Sequence, residues 1–342
     1  MIFFVLVVIL LFLGLVYEQL SRKIDAKSPK TGKMIDVGDY SMHVTDCGQG
    51  EATIVLIHGA GDSSYSWIHI RKELTKFSRV ISYDRVGMGS SDLGPAPTPH
   101  HTVQELNNLL SKTGNPGPYI LVGHSLGGII ARLYALEYPN KVAGFVFLDS
   151  THEFLKDDTK FKQGFAAIGV MLKILRGLSP FGIPRFLGNI TGMIPMFAHE
   201  RKYYQQQLPP EEYKQWKGIV YRTFAGSAAG VEFKEAIAHL EEAARRLKNS
   251  KTIPQFGDLP IAVVNNPGFG AHWTEIQREL ASRSTNNIHK TSDRKGHSLQ
   301  MPRPELVVEA VQHVVEQVRS RNGRTLAEST LEQKIEVTVA SD

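Results

Sequence analysis

Residues 119–134 read "YILVGHSLGGIIARLY". An apolar run of strand character reaches Gly123, Ser125 follows after one histidine, and Gly127 and Gly128 open an apolar helix. A turn that only reversed the chain would not need a hydroxyl between glycines, where a buried strand meets a buried helix. The pattern is G-x-S-x-G with a strand before it and a helix after it, the context in which the serine of such a turn is held up as a nucleophile. Larger side chains at the flanking positions would collide with neighbouring backbone, so glycines stand there and the bend carries strain. Ser125 thus sits beside the positive end of a helix and is the candidate nucleophile.

Outward from this turn, short β-type runs alternate with helical ones. "MIDV" and "SMHVT" flank Gly38-Asp39 as an opening hairpin. "TIVLI" (residues 53–57), "RVISY" (79–83), "GFVFL" (144–148) and "PIAVV" (260–264) share the style of "YILV" (119–122). Strands apolar on both faces belong to a parallel sheet covered by helices on each side. Helical patterns fill residues 67–76, 103–112, 126–138, 273–282 and 304–319, the last opened by Pro304 and keeping Val307, Val311, Val314 and Val318 at helical spacing. The expected fold class is α/β, with a doubly wound, mostly parallel sheet. Between residues 151 and 256 the rhythm changes to helical sequence without strand-like runs. That stretch is rich in Phe161, Phe165, Ile168, Met171, Leu172, Phe181, Phe186, Met193, Met196 and Phe197, and it is broken by Pro and Gly into short helices. It reads as a helical cap inserted into a sheet domain formed by residues 34–150 and 257–319. Residues 320–342 read as a flexible polar tail.

Residues 2–17, "IFFVLVVILLFLGLVY", form an unbroken apolar run. No basic segment precedes it and no small-residue cleavage site follows, so an uncleaved membrane anchor over residues 1–17 is expected rather than a secretory signal. Residues 18–33 read as a polar tether. Arg22, Lys23, Lys27, Lys30 and Lys33 flank the run on its C-terminal side, which places the large domain on the cytoplasmic side by the positive-inside rule. In the 342-residue chain the formal net charge is +5, with no stripe of basic and aromatic residues, so nucleic acid is not an expected partner. The single Cys47 allows no internal disulfide.

A serine nucleophile needs donors for an oxyanion. One is the backbone N–H of the next residue, Leu126; the other belongs to the loop after an earlier strand. "IVLIHGAGDSSYSW" has that form, and Ala60 is the candidate second donor, with His58 holding the loop by hydrogen bonding. Four segments in order, "LIHGAG", "SYDRVGMGSSD", "LVGHSLGG" and "DRKGHSLQMPRPELV", make residues 35–319 resemble the α/β-hydrolase superfamily. The resemblance implies an eight-stranded sheet with a cap after the sixth strand, and a general base in the loop after the last strand, where His297 stands. It makes Asp84 and Arg85 structural residues beneath the cap. Many relatives carry the acid after strand seven, but the loop "NNPGFGAHWTEIQREL" has no Asp. Asp149 at the end of strand six is the expected acid, with Glu275 and Asp293 as the alternatives.

Such a triad performs acyl transfer through an acyl-enzyme. Ser rather than Asp at the turn disfavours alkyl-enzyme chemistry on halides or epoxides. No metal-spaced set and no phosphate loop occurs, so neither metal nor cofactor is expected. The expected substrate is a small-molecule ester or lipid-like compound of apolar character, processed by a membrane-tethered carboxylic-ester hydrolase. The same residues would serve an amidase, a lactonase, a carbon–carbon hydrolase or a cofactor-free haloperoxidase. A non-catalytic binding protein of the same fold is the reading from another class.

Overall fold

The computed structural model describes residues 1–26, 31–191, 201–248, 256–294 and 296–339. Eight strands form one sheet: β1 (Lys33–Asp36), β2 (Ser41–Cys47), β3 (Thr53–Ile57), β4 (Arg79–Tyr83), β5 (Tyr119–His124), β6 (Val142–Leu148), β7 (Ile261–Asn265) and β8 (Asn287–Thr291). Their order is β1-β2-β4-β3-β5-β6-β7-β8. The β1/β2 and β2/β4 pairs are antiparallel, and every pair from β4/β3 to β7/β8 is parallel. Strands β3, β5 and β7 are buried along their whole length, as β-branched runs without polar alternation require.

Successive side chains feed two cores. Val55, Leu121, Phe147 and Val263 enter one, and Ile54, Val122, Val146 and Val264 enter the other. The first core is closed by α3 (Pro99–Ser111), α4 (Leu126–Glu137) and α10 (Ala271–Ser282), and the second by α2 (Ile68–Leu74) and α11 (Pro304–Val339). Pro304 opens α11, whose valines at 307, 311, 314, 315 and 318 all reach the second core. The helix runs on to Val339, so residues 320–339, within the segment read as a flexible tail, are helical backbone.

Between β6 and β7 the described residues are helical: α5 (Thr159–Leu178), α6 (Ile183–Thr191), α7 (Arg201–Gln207), α8 (Pro210–Ala225) and α9 (Ala228–Lys248). These helices are longer than the Gly and Pro content predicts. Gly164, Gly169 and Gly177 of α5 face open space, and packing of its other face against α9 supplies the stability that propensity lacks. Tyr204, Trp216, Val220, Phe224 and Phe233 give the cap a core of its own. Met193, Met196 and Phe197 lie outside the described residues, as do Lys27 and Lys30.

The N-terminal helix α1 spans Ile2–Ala26 and is long and apolar enough to cross a membrane. It extends well into the segment read as a tether, and Lys33 already belongs to β1. Glu18 explains the continuation: it is buried and ion-paired with Arg22 one turn on and with Arg185 of α6, which fixes this part of the helix on the cap.

Candidate active site

Ser125 joins β5 to α4 with φ 52° and ψ −119°, a backbone conformation that costs a non-glycine residue about 1–3 kcal/mol. The surroundings enforce it. A Cβ on Gly123 would lie 2.6 Å from the Gly127 carbonyl and the Gly128 nitrogen, and one on Gly127 would collide with the Ile57 carbonyl. The turn is pinned from outside as well, since Ser125 N donates to the Leu148 carbonyl and Thr151 N donates to the Ser125 carbonyl. Leu126 is the first residue of α4, so its N–H belongs to the first-turn donors that have no acceptor within the helix.

His297 lies in the loop after β8, and its Nδ1 is 2.6 Å from Oδ2 of Asp149. Asp149 is fully buried just past β6, with φ 43°. Its carboxylate also accepts from Asn266 N at 3.1 Å, Asn266 Nδ2 at 2.5 Å and Trp273 Nε1 at 2.6 Å. Three donors thus aim one carboxylate at one imidazole, which it meets at Nδ1. Of the other acids considered, Glu275 is exposed on α10 and Asp293 is an exposed partner of Arg303. Asn266 and Trp273 escape sequence reading. The only hint is that the loop after β7, lacking an acid of its own, carries a polar residue where β7 ends.

Ser125, His297, Thr151, His124, Gly59 and Ala60 line one cavity of about 730 Å³. The Ser125 Oγ lies 3.3 Å from Thr151 Oγ1, and His124 Nε2 lies 2.9 Å from the His297 carbonyl. Opposite them the wall is apolar, with Phe161, Phe165, Ile168 and Met171 from α5, Phe233 from α9, and Phe269. Phe269 also meets the His297 ring edge-on at 5.5 Å.

The loop at residues 58–61 is held by buried charge. Arg85 donates to the His58 and Gly59 carbonyls and pairs with Glu232 of α9 at 2.5 Å, while Glu232 accepts from Gly61 N at 2.6 Å. The Arg85 guanidinium and the Gly61 N–H hold the Glu232 carboxyl below its ordinary range despite its burial. His58 is fully buried, with Nδ1 2.8 Å from the Gly59 carbonyl. Burial, reinforced by Arg85, lowers its pKa to about 4, so it stays neutral and serves the loop. Asp84 accepts from Ser64 N and Ser90 N and pairs with His43. Those donors outweigh its burial and bring its pKa down to about 2. Beneath the Asp149 loop, buried Arg132 pairs with Glu153 and donates to the Thr151 carbonyl.

The description "alpha/beta hydrolase fold" fits a family model over residues 52–169. Epoxide hydrolase 2 of Siraitia grosvenorii is 36% identical over 140 residues, which is 39% of this chain and 43% of that protein. The chain spans between 22% and 43% of the length of the first curated relatives it matches. A thermophilic esterase from Thermogutta terrifontis superposes with TM-score 0.58 at 21% identity, covering 85% of this chain and 99% of that one. A variant epoxide hydrolase of Vigna radiata superposes at 0.59 and 14% identity, covering 83% and 98%. With its sheet order and inserted helices, the chain has the α/β-hydrolase superfamily fold.

Proposed function

We propose that this protein is a serine hydrolase that cleaves apolar carboxylic esters through an acyl-enzyme. The observation that carries the reading is the placement of strained Ser125 in one cavity with His297, whose Nδ1 is held by buried Asp149 at 2.6 Å. In the first step Ser125 Oγ attacks the ester carbonyl carbon while its proton passes to His297 Nε2. Asp149 stabilises the imidazolium, and the N–H groups of Ala60 and Leu126 receive the oxyanion. Collapse of the tetrahedral intermediate breaks the C–O bond, and His297 returns the proton to the leaving alcohol. Water, deprotonated by His297, then attacks the Ser125 ester and releases the acid.

Similarity to an epoxide hydrolase does not transfer that reaction. A serine oxygen opening an epoxide would form an ether, which neither water nor this imidazole cleaves, whereas a carboxylate nucleophile would form an ester. Attack on an acyl carbon is the chemistry that a hydroxyl here can complete. The aromatic and aliphatic wall of α5 and α9 favours an apolar acyl or alkyl group. The exposed apolar length of α1 supports anchoring in a membrane, with the basic flank on the cytoplasmic side.

The test is covalent. A fluorophosphonate probe labels the wild-type chain at Ser125, and Ser125→Ala loses both labelling and p-nitrophenyl ester hydrolysis, the latter by about 10⁴–10⁶-fold. Labelling that persists in Ser125→Ala, or a wild-type chain that neither reacts nor hydrolyses, overturns the assignment.

A further inference from the structure

The helix α1 does not trail from the domain; it is seated on the cap. A Cβ on Gly14 would collide with the Phe181 carbonyl, so the helix backbone lies directly on the α5–α6 connection. Three residues on, Tyr17 meets Phe186 of α6 edge-on at 6.4 Å and accepts from Asn189 Nδ2 at 3.0 Å. Glu18 then pairs with Arg185 at 2.8 Å, and Arg185 pairs with Asp25 at 2.9 Å. The orientation of α1 relative to the cap is therefore set by backbone contact and buried charge.

Length turns this seating into a constraint. Residues 2–13 rise only ~18 Å and residues 2–17 only ~24 Å along a helix, against a hydrocarbon core of ~30 Å. A membrane that α1 enters must therefore reach at least to Gly14 and Tyr17, the first of its residues described above as touching the cap. Whatever part of the cap surrounds that contact meets the bilayer too.

The cap there has the surface of a helix that lies on lipid. Val170, Ile174 and Leu178 recur every fourth residue along the outer face of α5, and Phe186, Leu187 and Ile190 continue the patch on α6; all are exposed. Residues 159–191 contain no Asp or Glu and expose Lys160, Lys162, Lys173 and Arg176, while Arg185 is buried in its pairs with Glu18 and Asp25. Apolar side chains ringed by cations alone match an interfacial helix on anionic headgroups. Although α5 is apolar enough to span a membrane, its inner face packs on α9 and lines the site cavity, so it lies along the surface.

We propose that the outer face of α5 and α6 docks on the anionic leaflet that α1 enters, so that the cavity behind α5 draws its apolar substrate from the bilayer. The proposal rests on the anchor reading of α1 and adds to it a defined second contact.

The full-length chain, with Cys47→Ser, would be reconstituted in phosphatidylcholine–phosphatidylglycerol vesicles. Single cysteines carrying a bimane label would replace Leu6 in the anchor, Ile174 and Leu187 on the cap, and exposed Lys76, which precedes the N-terminal end of β4. Spin-labelled lipid is expected to quench positions 6, 174 and 187 several-fold more than position 76. Adding Lys160→Glu, Lys173→Glu and Arg176→Glu should release position 174 and leave position 6 quenched. If position 6 is quenched while 174 and 187 behave like 76, the anchor stands and the docking surface is refuted. If position 6 is itself unquenched, the anchor reading fails and the proposal falls with it.

Discussion

The helix α4, which begins directly after Ser125, and the helix α5, which lines the cavity, are built on opposite terms. In α4, behind the serine, ten of twelve residues are buried, and even Arg132 is enclosed with its partners. In α5, across the cavity, Leu172 is the one buried residue of twenty. The first helix is held between the sheet, α3 and α9, so the elbow that precedes it cannot relax. The second packs on one face only. Under the proposed mechanism the contrast assigns work: the α4 side would hold atoms in reacting geometry, and the α5 side would set the size and greasiness of what enters. Changes on the first side should therefore reduce kcat, and changes on the second should shift preference among substrates.

The largest break in that contrast after loss of the serine itself is expected from Asp149→Asn. The amide would still accept one of the neighbouring N–H bonds, but its NH₂ group would leave the imidazole without the carboxylate that orients it and steadies its charge. A fall in kcat of about 10⁴-fold, with KM and the circular dichroism spectrum little changed, is the expected result. Glu275→Gln should leave kcat unaltered, because Glu275 is exposed on α10. The reverse ranking of the two variants would remove Asp149 from the proposed triad.

One residue crosses between the sides. Glu232 belongs to a cap helix, yet it holds Arg85 and the Gly61 N–H in the loop proposed to supply an oxyanion donor. Removing it in Glu232→Ala leaves a buried guanidinium without its counter-charge, a change that costs about 3–5 kcal/mol. Chemical denaturation should report that loss. If the loop is what suffers, kcat should drop about 10–100-fold while fluorophosphonate still labels Ser125 slowly. A variant destabilised by this amount with unchanged kcat would show that the cap and the loop are not coupled.

The division of labour between the helices also decided what could be read beforehand. The buried strands announce themselves because a fully buried strand must be apolar throughout, and β3 and β4 match "TIVLI" and "RVISY" residue for residue. Ser125 and its flanking glycines are legible because backbone collisions dictate them. By contrast β8, "NIHKT", is half-exposed at the sheet edge and carries no such run. Nothing in local sequence ties Asn266 and Trp273 to Asp149, more than a hundred positions away; only the strand order brings them together. The docking of Glu18 on Arg185 is hidden for the same reason, since a charged residue after an apolar run reads as the start of solvent.

The cap side can be tested by filling space. Ile168 faces the cavity from α5, whose outer surface has room to adjust. Ile168→Trp should lower kcat/KM for long-chain p-nitrophenyl esters by about tenfold relative to the acetate, a difference of the size that pocket contacts supply. The midpoint of thermal unfolding should move little. Equal loss on acetate and long-chain esters would place the acyl group elsewhere.

The smallest expected effect comes from the tightly packed side and concerns stability. Glu105 of α3 is 4% exposed, its Oε1 makes no hydrogen bond among the described residues, and His101 Nε2 lies 3.8 Å away. Burial raises its pKa from 4.5 to about 8. The folded chain therefore keeps a proton between those values that the unfolded chain releases. Stabilisation by that proton is complete below about pH 4.5, declines as pH rises and is lost above about pH 8. Glu105→Gln has no proton to lose. Its unfolding midpoint should match the wild type near pH 5 and exceed it by a few degrees near pH 8.5, with the gap opening across the interval between. Parallel pH profiles would mean that Glu105 ionises inside the fold, with His101 or water as the compensating partner, and that the α3–α4 seam is looser than its burial indicates.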